Sequence, residues 1–202
     1  MNKNEPAEKH IREFKNALDS LNMESLNKII ELLLTAYREN KQVFIMGNGG
    51  SAALASHFAC DLSKGTLQNP YDEEEKRFRV ISLTDNTPLM TAYSNDLNYE
   101  HVFSQQLKNL ICQGDIVIAI SSSGNSKNVI NAVNLAKRNK AITIGFIGFG
   151  GGKLKEAADF EILVDSHNYG IVEDSHSAVN HIICSILKEK LKVEKNQSFA
   201  KN

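Results

Sequence analysis

Five short apolar runs recur along this chain, at Val43–Met46, Phe78–Leu83, Ile116–Ile120, Ile142–Ile147 and Phe160–Val164. They read as continuous rather than alternating. A strand that rests one face on a core alternates apolar and polar residues, whereas a strand covered on both faces is apolar throughout. After most runs come small or polar residues and then a stretch with helical spacing: Ser51–Ser63, Thr87–Ser94, Tyr99–Leu110, Ser126–Asn139, about Lys153–Ala158 and Ile171–Lys190. Strand, turn and helix repeated in this way predict an α/β fold, an open five-stranded parallel sheet flanked by helices. Right-handed crossovers and ligand binding at the carboxyl ends of the strands follow as general rules.

Two helices precede the first strand. One spans about Pro6–Leu21 with a thin apolar stripe (Ile11, Phe14, Leu18, Leu21). The other spans about Met23–Asn40 and places Leu26, Ile29, Ile30, Leu33 and Leu34 at helical spacing. Together they carry more apolar surface than capping one sheet edge requires, and packing against another subunit would use the surplus. A chain of 202 residues suffices for one well-buried core. The expected layout is therefore a single domain, with N-terminal helices in 1–40, an α/β core in 41–191 and a frayed tail in 192–202. Residues 66–76, TLQNPYDEEEK, read as an acidic surface loop.

Charge and cysteine usage narrow the function classes. A net charge of -1 gives no electrostatic footprint for nucleic acid or an anionic membrane. Cys60, Cys112 and Cys184 are widely spaced, sit among apolar residues and form no CxxC, so buried free thiols in a reducing cytoplasm are expected rather than a disulfide framework. No apolar run approaches the length that spans a bilayer, and the first ten residues hold no apolar leader core. A cytoplasmic location is expected.

The segment Val43–Gly65 concentrates the chemistry. An apolar strand leads into Gly47-Asn48-Gly49-Gly50-Ser51 and then into a helix bearing His57 and Asp61 at i and i+4, on one face. Such a turn presents backbone N–H groups and a helix N-terminus to an anion. The loose G-x-G-x-x-A match is weak support for a dinucleotide site, and the acidic residue it calls for about twenty residues on is missing. Residues small enough for a tight turn would also explain it. A second strand-to-helix turn, Ser121-Ser122-Ser123-Gly124-Asn125-Ser126, has more hydroxyls than an N-cap needs. Two such turns suggest a monophosphate, such as a sugar phosphate. Thr84–Pro88 and Ser94-Asn95-Asp96 could hydrogen-bond sugar hydroxyls.

The last constellation is Glu173-Asp174-Ser175-His176 followed by His181. Glu173 and His181 lie eight positions apart, about 80° around an ideal helix, while Asp174 and His181 are nearly in line, so spacing alone does not choose Glu173. His181 sits among Val179, Ile182 and Ile183, where a lone histidine is more often a satisfied core residue. His176 reads as a polar surface residue or one that supports the site from behind.

In combination, GNGGSA(x)4HFACDL, the S-N-D cluster with YEHVFSQQL, the turn AISSSGNSKNVINA and EDSH(x)4H resemble the sugar isomerase (SIS) domain family, and within it the phosphoheptose isomerases, in order and spacing from about Phe14 to Leu191. The resemblance implies a flavodoxin-like SIS fold and an enzyme that converts sedoheptulose 7-phosphate to D-glycero-D-manno-heptose 7-phosphate, a precursor for lipopolysaccharide or capsule. It implies phosphosugar binding by Asn48, Gly49, Gly50, Ser51, Asn95, Asp96, Ser121, Ser122, Ser123, Ser126 and Glu173. It further implies Zn²⁺ held by His57, Asp61, Glu173 and His181, with Asp61 as catalytic base and His181 as acid, and a homotetramer with sites at subunit interfaces. Asp61 stands where that family commonly has Glu, and Glu173 where it commonly has Gln. The competing expectation is a non-catalytic SIS protein that binds a phosphosugar or acts as a scaffold, like relatives that bind the bacterial replication initiator.

Overall fold

A computed structural model describes residues 5–199. In chain order the elements are α1 (Glu5–Asp19), α2 (Met23–Arg38), β1 (Gln42–Gly47), α3 (Gly50–Cys60), a single π turn (Asp61–Gly65), β2 (Arg79–Ser82), α4 (Thr87–Asp96), a 3₁₀ turn (Tyr99–His101), α5 (Val102–Lys108), β3 (Ile116–Ser121), α6 (Lys127–Arg138), β4 (Ile142–Ile147), α7 (Gly152–Ala157), β5 (Phe160–Leu163) and α8 (Tyr169–Phe199). The five strands form one parallel sheet in the order β2-β1-β3-β4-β5.

Burial explains the order. β1 and β3 are buried at every residue, and β4 at all but its first. On β1, Val43 and Ile45 pack with α2, α3 and α8 residues, whereas Phe44 and Met46 pack with α5 and α6 residues. This opposite pointing of successive side chains is the strand period of two. Each fully buried large side chain, Phe44, Phe58, Phe103 and Phe146 among them, contributes about 1.5–3 kcal/mol. The β2 run is broken by Arg79 and Ser82; it forms one edge of the sheet, where Ile81 remains 40% exposed, and β5 forms the other.

Several boundaries differ from the sequence reading, and two of them bear on the site and the tail. The helix after β1 ends at Cys60, and the backbone widens into the π turn that begins at Asp61. Single π turns inside or after α-helices recur at functional sites. The expected tail is helical as far as Phe199, because α8 is held at its far end: Arg38 pairs with Glu194, and Lys195 Nζ reaches Asp72 Oδ2 at 3.0 Å and Glu75 Oε2 at 3.6 Å. The acidic loop is thus fastened to α8, and Gln68 Nε2 also donates to the Lys188 carbonyl at 2.9 Å. Residues 200–202 of that tail lie outside the described residues.

Candidate active site

The carboxyl ends of β1 and β3, the α3–π-turn segment and the first half of α8 meet in one region. α3 carries His57 and the π turn carries Asp61, one helical turn apart; α8 brings His181 to them. His57 Nε2 and His181 Nε2 are 2.9 Å apart, and Asp61 Oδ2 is 3.1 Å from the first and 3.6 Å from the second. Among the described residues these three side chains are the group of donor atoms close enough to share a cation. Bonds of about 2.0–2.2 Å in a tetrahedron separate neighbouring ligand atoms by roughly 3.3 Å. The observed separations bracket that edge, so two imidazoles and a carboxylate fit zinc. All three are accessible, His57 at 53%, His181 at 61% and Asp61 at 25% of the side chain.

A cavity of about 340 Å³ opens beside this cluster, lined by Gly50, Ser51, His57, Glu173, His176 and His181 among others. Asp174 lines it too, and neither it nor Glu173 joins the three donors. The Glu173 carboxylate lies over Gly50, where a Cβ would come within 2.8 Å of Oε2, at the first turn of α3. That position satisfies the positive end of the helix dipole.

Of the two positions the sequence left open for His176, the surface one is excluded: the residue is fully buried and lines the cavity. Its Nε2 lies 3.2 Å from the Ile147 carbonyl, which can only accept, so Nε2 carries the hydrogen. Its Nδ1 has no hydrogen-bond partner among the described residues. Burial pushes its pKa down to about 4, so the ring is neutral.

The serine turn begins with Ser121 and Ser122, both buried. Ser121 Oγ bonds Ser126 Oγ at 3.2 Å, Ser122 Oγ has no hydrogen-bond partner among the described residues, and the Ser122 carbonyl accepts from Gly148 N at 2.9 Å. Ser126 is the N-cap of α6, yet its hydroxyl makes no bond to the helix amides. Gly124 has φ +64, and a Cβ there would sit 1.9 Å from the Gly151 carbonyl, so only glycine lets the two loops touch.

Asn48 links the glycine turn to the first turn of α6. Its Nδ2 donates to Asn128 Oδ1 at 2.9 Å, while its Oδ1 accepts from Asn128 Nδ2 at 2.8 Å and from Tyr99 Oη at 2.8 Å. Gly49, with φ +55, starts α3 next to it, followed by Gly50 and Ser51. Asn95 and Asp96 stand exposed at the end of α4 and bond to each other at 3.0 Å. Among the described residues, no hydrogen bond or ion pair joins them to the His57 cluster.

Sequence reasoning overlooked Tyr99, Asn128, Asn180 and Cys184. Asn180 had a readable signal, a polar residue inside the apolar stripe of α8; the Asn48–Asn128 pair had none, since no spacing rule joins residues on different turns.

The SIS domain profile matches residues 8–148. The chain is 40% identical over 184 residues to a probable phosphoheptose isomerase of Thermoplasma acidophilum, covering 91% of this chain and 98% of that one. It is 37% identical over 178 residues to the phosphoheptose isomerase of Clostridium acetobutylicum, covering 88% of each. Among solved structures, a phosphoheptose isomerase of Neisseria gonorrhoeae superposes with a TM-score of 0.81 at 30% identity, over 90% of this chain and 94% of the other. One from Francisella tularensis gives 0.83 at 25% identity, over 92% and 96%.

Proposed function

This chain belongs to the SIS domain family and, within it, to the phosphoheptose isomerases, and on that premise we propose that it interconverts sedoheptulose 7-phosphate and D-glycero-D-manno-heptose 7-phosphate through an enediol. The observation that carries the proposal is the convergence of His57, Asp61 and His181 beside a cavity at the carboxyl end of the sheet. Aldose–ketose isomerisation needs a base to take a proton from the carbon beside the carbonyl and an acid to serve the oxygen.

In this reading Asp61 is the base and His181 the acid. Asp61 Oδ2 faces both imidazoles, whereas Oδ1 has no hydrogen-bond partner among the described residues and is the oxygen left to receive the carbon-bound proton. Ser121, Ser122, Ser123 and Ser126 at the α6 N-terminus suit phosphate oxygens, since the Ser126 hydroxyl is not spent on the helix amides. Asn48, Gly49, Gly50 and Ser51 form the wall beside them, and Asn95 and Asp96 meet sugar hydroxyls. Zinc would be held by His57, Asp61 and His181, with Glu173 in the same cavity as the fourth group. When bound, it supplies Lewis-acid stabilisation of the developing oxyanion.

The accessible imidazoles suit sites completed by neighbouring subunits of a homotetramer. Among the described residues no helix is long and apolar enough to cross a membrane, and free thiols suit a reducing cytoplasm. The test is incubation of metal-analysed protein with a panel of ketose phosphates, following solvent deuterium exchange by NMR. Exchange at the carbon next to the carbonyl of sedoheptulose 7-phosphate is expected. No exchange with any member would overturn the enzymatic reading in favour of a binding module.

A further inference from the structure

α8 buries a stripe that includes Ile171, Val172, Val179, Ile183 and Leu187, and Asn180 lies within it, fully buried. A buried amide without partners costs about 1–3 kcal/mol. Asn180 has partners at both ends. Its Nδ2 donates to Asp61 Oδ2 at 2.8 Å, and its Oδ1 accepts from Cys184 Sγ at 3.5 Å. Both neighbours fix which way the amide points: a carboxylate only accepts, and a thiol held protonated only donates here. Burial raises the Cys184 pKa, and the Asp61 charge raises it further, so the thiol stays protonated.

Three groups surround Asp61 Oδ2, and they are not equivalent. His57 and His181 are each more than half exposed, so packing does not hold their rings. Asn180 alone of the three is packed in the core. It is also the residue before His181, so the same turn of α8 sets the imidazole and the anchor.

We propose that Asn180 is a positioning residue: its amide, oriented by Cys184, fixes the Asp61 carboxylate through Oδ2 against the His57–His181 pair. The proposal rests on the reading of Asp61 as base and metal ligand. The anchored Oδ2 keeps the carboxylate from turning about its own side-chain bonds on the π turn. A reacting group displaced by about 1 Å loses roughly 10²-fold in rate.

The test replaces the amide by an apolar group of similar size, Asn180→Leu, and reads kcat, KM and zinc affinity by chelator competition. Lost support of a ligand costs about 10–100-fold in metal affinity or activity. The expected result is a fall of that size in both kcat and zinc affinity, with KM within about two-fold and Tm not lowered. Wild-type kcat and zinc affinity in Asn180→Leu would overturn the proposal. Should that variant not fold, Cys184→Ala against Cys184→Ser decides. Serine restores a donor to Asn180 Oδ1, so it should recover zinc affinity and kcat relative to alanine; equal values for the two overturn it. Wild-type protein inactive on every phosphosugar would defeat the isomerase reading alone, because zinc affinity still reports on Asn180.

Discussion

His57 Nε2 and His181 Nε2 lie 2.9 Å apart across a sequence separation of 124 residues. At that distance one ring must donate and the other accept, so the metal-free pair cannot carry both protons on the facing atoms. Asp61 Oδ2 sits within 3.6 Å of both nitrogens, which brings two imidazoles and a carboxylate into one small volume.

Removing the Asp61 charge is the most direct probe of that arrangement. Asp61→Asn keeps the shape but not the base, and a positioned general base contributes about 10²–10⁴-fold. Turnover should fall by at least that factor while phosphosugar binding, measured by calorimetry, persists. Near-normal turnover would sink the assignment.

His57→Ala tests the cation position. It removes one of three converging donors and leaves Asp61 and His181 in place. Zinc affinity should drop by more than about 100-fold, beyond the loss expected when a supporting residue alone is changed. Chelation of the wild-type protein should lower kcat, and added Zn²⁺ should restore it in the wild type at concentrations that leave His57→Ala inactive.

The contact between the serine turn and the glycine loop should be intolerant of a methyl group. Gly124→Ala places a side chain at φ +64 and drives its Cβ against the Gly151 carbonyl, a backbone atom that cannot swing away. The left-handed backbone alone costs about 1–3 kcal/mol, and the collision adds to it. A loss of about 3 kcal/mol or more in urea unfolding is expected. Gly50→Ala is the contrast: its Cβ meets the flexible end of Glu173, so stability should change far less.

Acid should weaken the fold through His176. Its pKa is about 6.5 unfolded and about 4 folded, because burial disfavours the charged ring. Between those values the unfolded chain binds more protons, so stability rises with pH across the window. The contribution is complete above about pH 6.5 and is lost as pH falls toward 4; fully expressed it amounts to about 3 kcal/mol. His176→Gln keeps a donor for the Ile147 carbonyl and should flatten stability against pH between 4 and 6.5. An unchanged slope would show that other groups dominate.

Continuity of the apolar runs made the sheet legible before any coordinates, since strands covered on both faces must be apolar throughout. Which strands lie at the edges was not legible: Phe78–Leu83 read as one more apolar run, and only the sheet order put β2 at one edge, with Ile81 40% exposed. The extension of α8 to Phe199 was not legible. Its last turns, rich in Lys, Glu, Asn and Gln, show no periodic stripe, and they are held by ion pairs with Arg38, Asp72 and Glu75 that come from distant sequence. For His176 the sequence left a surface position and a supporting one open; the fold decided by burying the ring and turning it toward the Ile147 carbonyl.

What the sequence determined by itself was the kind of chemistry: glycine and serine turns after apolar strands, imidazole and carboxylate one helical turn apart, and two acidic residues with a second histidine far along the chain. Those features are local, because helix and strand periods fix which neighbours share a face. What only the tertiary structure decided was which of them meet. α8 crosses α3 so that His181 reaches His57 and Asp61, while the Glu173 carboxylate rests on Gly50 at the helix end, apart from that donor group. Asn180 and Asn128 likewise became part of the site through packing between separate elements, a relation that no spacing within one element encodes.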